Sequence, residues 1–187
     1  MAREIGDTID ITGCRYGPHS RTKTDIGETV YYRFLAGFAR LIEAKQILEI
    51  GTHYGGSIMA MARGAASAKL VTVDITRKNE QAFASFPNIQ RVQGDSTRAK
   101  TAAQVSRYFV PPIDLIYIDS LHTKDAVLLN LKAYGHLLPR YAVFDDIHIN
   151  PTMDELWDEL SAKYPHCDLS DITDRRRVGF GAIQLRI

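Results

Sequence analysis

The chain has 187 residues, enough for one domain with a full hydrophobic core and no need of disulfide support. Hydrophobic residues make up 45% and charged residues 24%, and the formal net charge is only +1 with both signs interspersed. This balance argues against nucleic-acid and membrane-surface partners, which require a basic patch. Cys14 and Cys167 match no metal-binding spacing, and neither a signal peptide nor a membrane span is evident. The sequence therefore predicts free thiols in a cytoplasmic protein.

The first 25 residues form a polar stretch that is predicted to be irregular, since Gly13, Gly17 and Pro18 interrupt it. Two interpretations stay open, a loosely ordered arm or a lid over a ligand site. Residues 26–187 are expected to form the catalytic or binding domain. Within it, the basic run at residues 175–177 is interpreted as a solvated turn before a strand.

Hydrophobic positions at helical spacing predict an amphipathic helix over residues 29–43. Strands are predicted, in chain order, at 47–50, 70–74, 89–95, 113–119 and 141–144, with a final pair near 167–169 and 178–187. Helices are predicted from 58, at 78–84, 100–109 and 124–134, and from Pro151 to about 163. This alternation of strands and helices predicts a three-layer α/β fold with right-handed crossovers.

A glycine-containing loop follows the first predicted strand. Gly51 ends that strand, and Gly55 and Gly56 precede the next helix, so backbone N–H groups can approach a ligand without a Cβ in the way. The second strand ends at Asp74, about where a βαβ unit places a carboxylate against ribose hydroxyls. The pattern predicts a nucleoside-binding unit.

The same loop argues against two common nucleotide classes. The dinucleotide fingerprint G-x-G-x-x-G requires a second glycine where this chain has His53, so NAD is disfavoured. A G-x-x-x-x-G-K-[ST] motif is absent from the sequence, which excludes a P-loop.

Three acids follow two later strands that are expected to be neighbours. Asp119 ends the fourth strand, and Asp145 and Asp146 follow the fifth. Like charges brought together repel unless a cation lies between them, and carboxylates without cysteine suit Mg²⁺ or another hard divalent cation. The alternative is that Asp145 and Asp146 merely cap the helix at Pro151.

Histidine near these acids is the candidate general base. His122 lies three residues after Asp119 and titrates near neutral pH, which suits proton removal from a hydroxyl. His148 and, more weakly, His53 compete for this role. His122 could also be purely structural.

Two sets of residues carry a resemblance to a known family. Residues 48–57 resemble the first motif of class I S-adenosylmethionine (SAM)-dependent methyltransferases, with Glu49 two residues before the first glycine. Residues 119–122 and 144–146 resemble the metal-dependent O-methyltransferases that act on sugars of macrolides and polysaccharides. They are more distantly similar to catechol methyltransferases. The similarity spans about residues 26–187.

The resemblance implies a Rossmann-like three-layer sandwich with a mostly parallel seven-stranded sheet and a C-terminal antiparallel strand. It implies transfer of a methyl group from SAM to a hydroxyl of a small-molecule or oligosaccharide acceptor, in a homodimer. Asp95 and Ser96 are expected to meet the adenine, and His122 is expected to be the base beside Asp119. The implied SAM-binding residues are Glu49, Gly51, Thr52, Ser57, Asp74, Asp95 and Ser96, and the implied metal ligands are Asp119, Asp145 and Asp146.

Three alternatives remain at this point. The acceptor could be a catechol-like phenol, or the chain could be a non-catalytic methyltransferase-like binding protein. A hydroxylase would need an iron site of two histidines and one acid, which His122, His148 and Asp119 could supply.

Overall fold

The computed structural model describes residues 1–15, 17, 26–170 and 178–186, without the side chains of residues 26–29. The basic run at 175–177 and most of the second half of the predicted arm lie outside the described residues. None of the helices in the described ranges is both long and apolar enough to cross a bilayer.

Seven α-helices and seven strands are present in the described part of the chain. The helices are α1 (Ala2–Asp7), α2 (Ile26–Leu41), α3 (Gly56–Gly64), α4 (Glu80–Phe83), α5 (Ala99–Ser106), α6 (Lys124–Tyr134) and α7 (Pro151–Lys163), and a 3₁₀ turn (Gly135–Leu137) follows α6. The strands are β1 (Gln46–Ile50), β2 (Lys69–Asp74), β3 (Ile89–Gln93), β4 (Leu115–Ile118), β5 (Tyr141–Asp145), β6 (His166–Asp168) and β7 (Phe180–Gln184).

The strands form one sheet in the order β3-β2-β1-β4-β5-β7-β6. β1 to β5 are mutually parallel, and β7 runs antiparallel to both β5 and β6. The predicted fold class, including the C-terminal hairpin, is therefore confirmed. The two strands that carry the later acids, β4 and β5, are direct neighbours as expected.

The register of the sheet aligns the residues that end its strands. Ile50 of β1 lies opposite both Val73 and Ile118, and Ile118 lies opposite Phe144. The next residue of each strand therefore belongs to one row across the carboxyl edge, where open α/β sheets bind ligands. That row consists of Gly51, Asp74, Asp119 and Asp145.

Two hydrophobic clusters, one on each face of the sheet, form the core. One contains side chains of α2 and α3, and the other contains side chains of α5, α6 and α7. The central strands are buried on both faces, which explains their continuous runs of branched residues. Trp157 of α7 is buried, and Tyr31 of α2 stacks on Phe180 at 4.6 Å, so both side chains contribute to this packing.

The N-terminal segment differs from the expectation of an irregular stretch. Its first residues form α1, which crosses α2 so closely that a Cβ on Gly6 would lie 1.9 Å from the Arg33 carbonyl oxygen. Gly37 is equally close to the carbonyl oxygen of Ala2. The prediction of irregular structure was wrong here because two glycines permit a tight helix contact that polar composition conceals. Three residues after α1 are also buried in the core: Ile9, Ile11 and Cys14.

Candidate functional site

A cavity of about 570 Å³ opens at the carboxyl edge of β1 to β4. Five of the predicted site residues line it: Gly51, Asp74, Asp95, Ser96 and Asp119. The other lining residues are His53, Val73, Ile75, Gly94, Thr97, Ser120, Leu121, Ala126, Leu129 and Asn130.

The glycine loop turns sharply between β1 and α3. Gly51 has a φ of +98°, and a Cβ there would lie 1.7 Å from the backbone oxygen of Asp119. His53, at the position of the missing second glycine, also has a positive φ of +46°. The backbone at His53 is thus left-handed, as glycine favours, but its imidazole lies on the cavity wall. A pyrophosphate would need the backbone to be open at this position, so the loop does not suit a dinucleotide.

Gly51→Ala should destabilise the fold by about 2 to 4 kcal/mol, because the residue needs both a left-handed backbone and the absence of a Cβ. Thermal or urea unfolding would measure the loss. Gly135→Ala is the matched control, since its φ is −59° and no atom lies within 4 Å of the added Cβ. Equal stability of the two variants would contradict the proposed close contact.

Asp74 holds the loop in place through its carboxylate. Its Oδ2 accepts hydrogen bonds from the backbone N–H groups of Thr52 at 3.0 Å and His53 at 2.8 Å. Its Oδ1 accepts bonds from the backbone and side chain of Thr76. Burial alone would raise the pKa of Asp74, but these donors outweigh it and the pKa is lowered. Asp74 is therefore an anion on the cavity wall at neutral pH.

Glu49 lies beneath the loop and is fully buried. It accepts hydrogen bonds from Ser57 Oγ and Thr72 Oγ1, both at 2.5 Å, and Thr72 Oγ1 lies 2.6 Å from Thr52 Oγ1. Three predicted SAM-binding side chains, those of Glu49, Thr52 and Ser57, are thus engaged with one another or with Thr72 and do not line the cavity. This network joins β1, β2 and the start of α3.

Burial raises the pKa of Glu49 to about 8, in spite of the two hydroxyl donors that favour its ionised form. Since the folded pKa exceeds the unfolded value of 4.5, the stability that this group contributes falls as the pH rises from about 4.5 to 8. Glu49→Gln should remove that part of the pH dependence. Urea unfolding of the wild-type protein and of Glu49→Gln at pH 5 and pH 8 would test this. An equal loss of stability in both proteins between the two pH values would contradict it.

Asp95 and Ser96 form the opposite wall of the cavity. Asp95 Oδ1 accepts bonds from the backbone and side chain of Thr97, and Oδ2 accepts a bond from Arg98 Nε at 3.2 Å. The Thr97 bonds lower the pKa of Asp95. The Ser96 carbonyl accepts a bond from the Tyr134 hydroxyl at 3.0 Å, which ties this wall to α6.

An acid–histidine cluster, formed by Asp119, His122, Asp145 and Asp146, adjoins the cavity through Asp119. One donor atom from each of Asp119, His122 and Asp145 lies within 4.8 Å of the other two. His122 Nε2 lies 3.3 Å from Asp119 Oδ1, and His122 Nδ1 lies 3.6 Å from Asp146 Oδ2. The structure thus brings together all three predicted metal ligands and the predicted base.

The charges within this cluster shift one another's pKa values. Burial, together with the negative charges of Asp119 and Asp146, raises the pKa of Asp145 well above its ordinary value. Burial would lower the pKa of His122, but the hydrogen bond and charge of Asp119 and the charge of Asp146 outweigh it, so the pKa is raised. An added cation would oppose both shifts.

Neighbouring residues position the cluster. Tyr117, two residues before Asp119 on β4, donates to Asp119 Oδ2 at 3.3 Å. Asn150 Nδ2 donates to the His122 carbonyl at 2.8 Å, while its Oδ1 caps the start of α7. The alternative that Asp145 and Asp146 cap this helix is therefore wrong, because Asn150 does so with Pro151 following it.

The other candidate histidines are placed differently. His148 Nδ1 lies 2.7 Å from Asp154 and Nε2 lies 3.2 Å from Asp168, so both ring nitrogens are engaged outside the acid–histidine cluster. This arrangement removes His148 from the hypothesis of an iron site with His122 and Asp119. His53 belongs to the glycine loop and lines the cavity on that side.

Comparison with protein families gives a match over residues 39–162 to the model described as rhamnosyl O-methyltransferase/CmcI. The matched segment includes the glycine loop, Asp74, Asp95 and the complete acid–histidine cluster. The chain belongs to this family. It is a SAM-dependent O-methyltransferase with a Rossmann-like fold.

Solved methyltransferase structures share this fold at low sequence identity. An O-methyltransferase from Bacillus cereus in complex with S-adenosylhomocysteine (SAH) has a TM-score of 0.66 and 18% identity, covering 98% of this chain and 90% of that one. TomG from Streptomyces achromogenes, in complex with SAM, has a TM-score of 0.67 and 19% identity, covering 84% and 80%. MycE from the mycinamycin biosynthetic pathway, in complex with Mg and SAH, has a TM-score of 0.51 and 18% identity, covering 75% and 45%. A comparison with curated protein sequences gives no significant match.

Several cavity residues of this O-methyltransferase were not predicted from the sequence. Ile75 follows Asp74 directly and is 70% exposed, and Leu121 is 69% exposed beside the cluster. These two residues carry no sequence signal, because their exposure is known only from the structure. Asn130 carries none either, because one polar residue within an amphipathic helix is ordinary.

Proposed function

We propose that this enzyme transfers the methyl group of SAM to a hydroxyl of a sugar or carbohydrate-bearing small molecule, and that the reaction depends on Mg²⁺ or another divalent cation. The observation that carries this proposal is the acid–histidine cluster, which adjoins the cavity through Asp119. In this proposal the nucleoside and the cation would bind side by side at one edge of the sheet.

The donor atoms of the cluster fit a divalent cation. Asp145 Oδ1 is shielded from solvent and has no hydrogen-bond partner among the described residues. Unpaired polar atoms cost free energy, and carboxylates that face one another repel. A cation held by Asp119, Asp145 and Asp146 would relieve both penalties. The complex of MycE with Mg and SAH is a related precedent for such a pair of ligands.

The SAM molecule would lie in the 570 Å³ cavity, with its ribose at Asp74 and its adenine between Ile75 and the wall at Asp95 and Ser96. Asp74 is anionic and fixes the loop backbone against which the ribose would lie. Glu49, Thr52 and Ser57 would act from beneath, by fixing the loop on which the donor rests. SAM would supply the methyl group, and a bound divalent cation would lower the pKa of the acceptor hydroxyl.

In this proposal His122 takes the proton of the acceptor hydroxyl on its imidazole nitrogen. Asp119 and Asp146 lie on either side of the ring and would stabilise the imidazolium that forms. Asn150 holds the backbone of His122, and Tyr117 holds the carboxylate of Asp119. By holding His122 and Asp119 in place, these two contacts would keep the acceptor oxygen in line with the methyl group of SAM.

A sugar acceptor is favoured by the family description, which names a rhamnosyl O-methyltransferase. A phenolic acceptor is the second candidate, because the chain also resembles the catechol methyltransferases, which have an Asp-Asn pair where this chain has Asp145 and Asp146.

A panel of rhamnosides, other glycosides and catechols, assayed for methyl transfer from labelled SAM, would test the proposal. We expect turnover on a glycoside that is lost in EDTA and restored by excess Mg²⁺ or Mn²⁺. Turnover on catechols alone would contradict the sugar acceptor. Turnover that survives EDTA would contradict the metal dependence.

A further inference from the structure

Lys124 is the first residue of α6 and follows closely after His122 in the chain. Its ammonium group crosses to α7, where Nζ donates to Glu155 Oε1 and to Glu159 Oε1, both at 2.7 Å. A positive charge in the first turn of a helix is disfavoured by the positive end of the helix dipole. The position of this lysine is therefore not explained by α6 itself, and its contacts lie on the neighbouring helix.

The two glutamates on α7 show a matching feature. Glu155 and Glu159 are one turn apart on the same face of the helix, where like charges repel. Lys124 Nζ bonds to both, and its side chain is only 19% exposed against 61% and 56% for the glutamates. Ion pairs with such exposed partners contribute less than about 1 kcal/mol to stability. The bridge thus joins α6 to α7 while adding little to the stability of the fold.

Two further contacts join the same two segments. Asn150, which caps α7, donates through Nδ2 to the His122 carbonyl at 2.8 Å. Thr152 Oγ1, in the first turn of α7, lies 3.5 Å from the backbone nitrogen of Lys124. The short segment from His122 to Lys124 is therefore in contact with the start of α7 at both of its ends.

These segments carry the two halves of the acid–histidine cluster. The residues after β4 supply Asp119 and His122, whereas α7 continues the loop after β5, which supplies Asp146. The halves approach each other to 3.6 Å, between His122 Nδ1 and Asp146 Oδ2. A change in the spacing of α6 and α7 would change this distance, and a misplacement of about 1 Å can cost about 100-fold in rate.

We propose that Lys124 is a positioning residue of the methyl-transfer site, and that its bridge to Glu155 and Glu159 sets the place of His122 relative to the acids after β5. The inference rests on the proposed role of His122 as the base. Lys124 does not line the cavity, so it acts on the reaction through His122 and not by contact with SAM.

Lys124→Met removes the charge and keeps most of the side-chain length. With labelled SAM and p-nitrophenyl rhamnoside, or protocatechuate should only catechols turn over, kcat should fall about 5- to 20-fold. The KM for SAM and the affinity for SAH should stay within about twofold. Lys124→Arg should restore most of the rate, and the double variant Glu155→Gln/Glu159→Gln should reproduce the loss. Lys132→Met, which changes an exposed lysine two turns further along α6, is the matched control. An unchanged kcat in Lys124→Met overturns the inference.

A double-mutant cycle separates positioning of the base from a general effect on structure. In a His122→Ala background, Lys124→Met should have no further effect on kcat, because the group through which it acts has been removed. Full additivity of the two losses overturns the positioning role and leaves the proposed function in place. A wild-type rate from His122→Ala contradicts the proposed function and, with it, this inference.

Hydrogen exchange provides a second readout that needs no acceptor. Amide exchange at residues 121–126 should be about two- to fivefold faster in Lys124→Met than in the wild type, and unchanged in Lys132→Met. Equal exchange in Lys124→Met and the wild type overturns the inference. If Lys124→Met does not fold, Glu155→Gln/Glu159→Gln supplies the same test, since both glutamates are exposed.

Discussion

Asp145→Asn should reduce methyl transfer by at least about 100-fold and at the same time stabilise the metal-free protein. The loss of activity follows from removing one of the carboxylates proposed to hold the cation. The gain in stability follows from the raised pKa of Asp145, which results from burial and from the charges of Asp119 and Asp146. Because the folded pKa exceeds the unfolded value of 3.8, ionisation of the unfolded chain lowers stability as the pH rises above that value.

The stabilising effect should amount to about 1 to 3 kcal/mol at pH 8 and should shrink toward pH 4. Thermal unfolding in EDTA and in excess Mg²⁺ would measure it, since Mg²⁺ should stabilise the wild-type protein but not the variant. Asp158→Asn, an exposed acid of α7, is the control for a change of net charge. A variant that is less stable than the wild type in EDTA would contradict the proposed repulsion.

His122→Ala should lower kcat by about 100-fold or more and leave SAH binding unchanged, as expected when a general base is removed. In the wild type, kcat should rise with pH as His122 loses its proton. The raised pKa of His122 shifts this rise to higher pH, because the bond and charge of Asp119 and the charge of Asp146 outweigh the effect of burial. A bound cation among these acids opposes the shift, so the pKa of His122 should be lower in saturating Mg²⁺ than in EDTA.

The role of His122 is decided by comparing metal affinity with turnover. As a base, His122 can be lost without a large change in Mg²⁺ or Mn²⁺ affinity. A more than tenfold weaker cation affinity of His122→Ala would assign the imidazole as a ligand instead, which its position within 4.8 Å of Asp119 and Asp145 permits. His136→Ala is the matched control, since His136 is exposed and bonds to Ser106. A wild-type rate from His122→Ala would overturn both roles.

The sequence predicted the sheet and its carboxyl edge well because parallel strands buried on both faces are continuous apolar runs. Each such run here ends in glycine or aspartate, as at Gly51, Asp74 and Asp119. Because the carboxyl ends of parallel strands meet at one edge of the sheet, topology alone predicted that these residues would lie close together. The pairing of β4 with β5, which brings Asp145 beside Asp119, followed from the alternation of strands and helices.

Side-chain direction was the part that the sequence could not supply. Glu49 was expected to bind SAM, and the structure turns its carboxyl into the core toward Ser57 and Thr72. One residue of shift along a strand reverses the face, and spacing from a glycine does not reveal which hydroxyls surround an acid. Asn130 is the converse case, since its Nδ2 donates to the Ala126 carbonyl and the Ser120 hydroxyl and its Oδ1 has no partner among the described residues, which no sequence pattern reveals.

The absence of a side chain at Gly51 has a thermodynamic consequence. The carbonyl of Asp119 fills the space that a Cβ would need, so the backbone under the methyl donor rests directly on the backbone that carries a proposed cation ligand. A shift of either segment must displace the other. Occupancy of one site should therefore change affinity at the other by the same factor in both directions, and the enzyme would sense its donor and its ion as a linked pair.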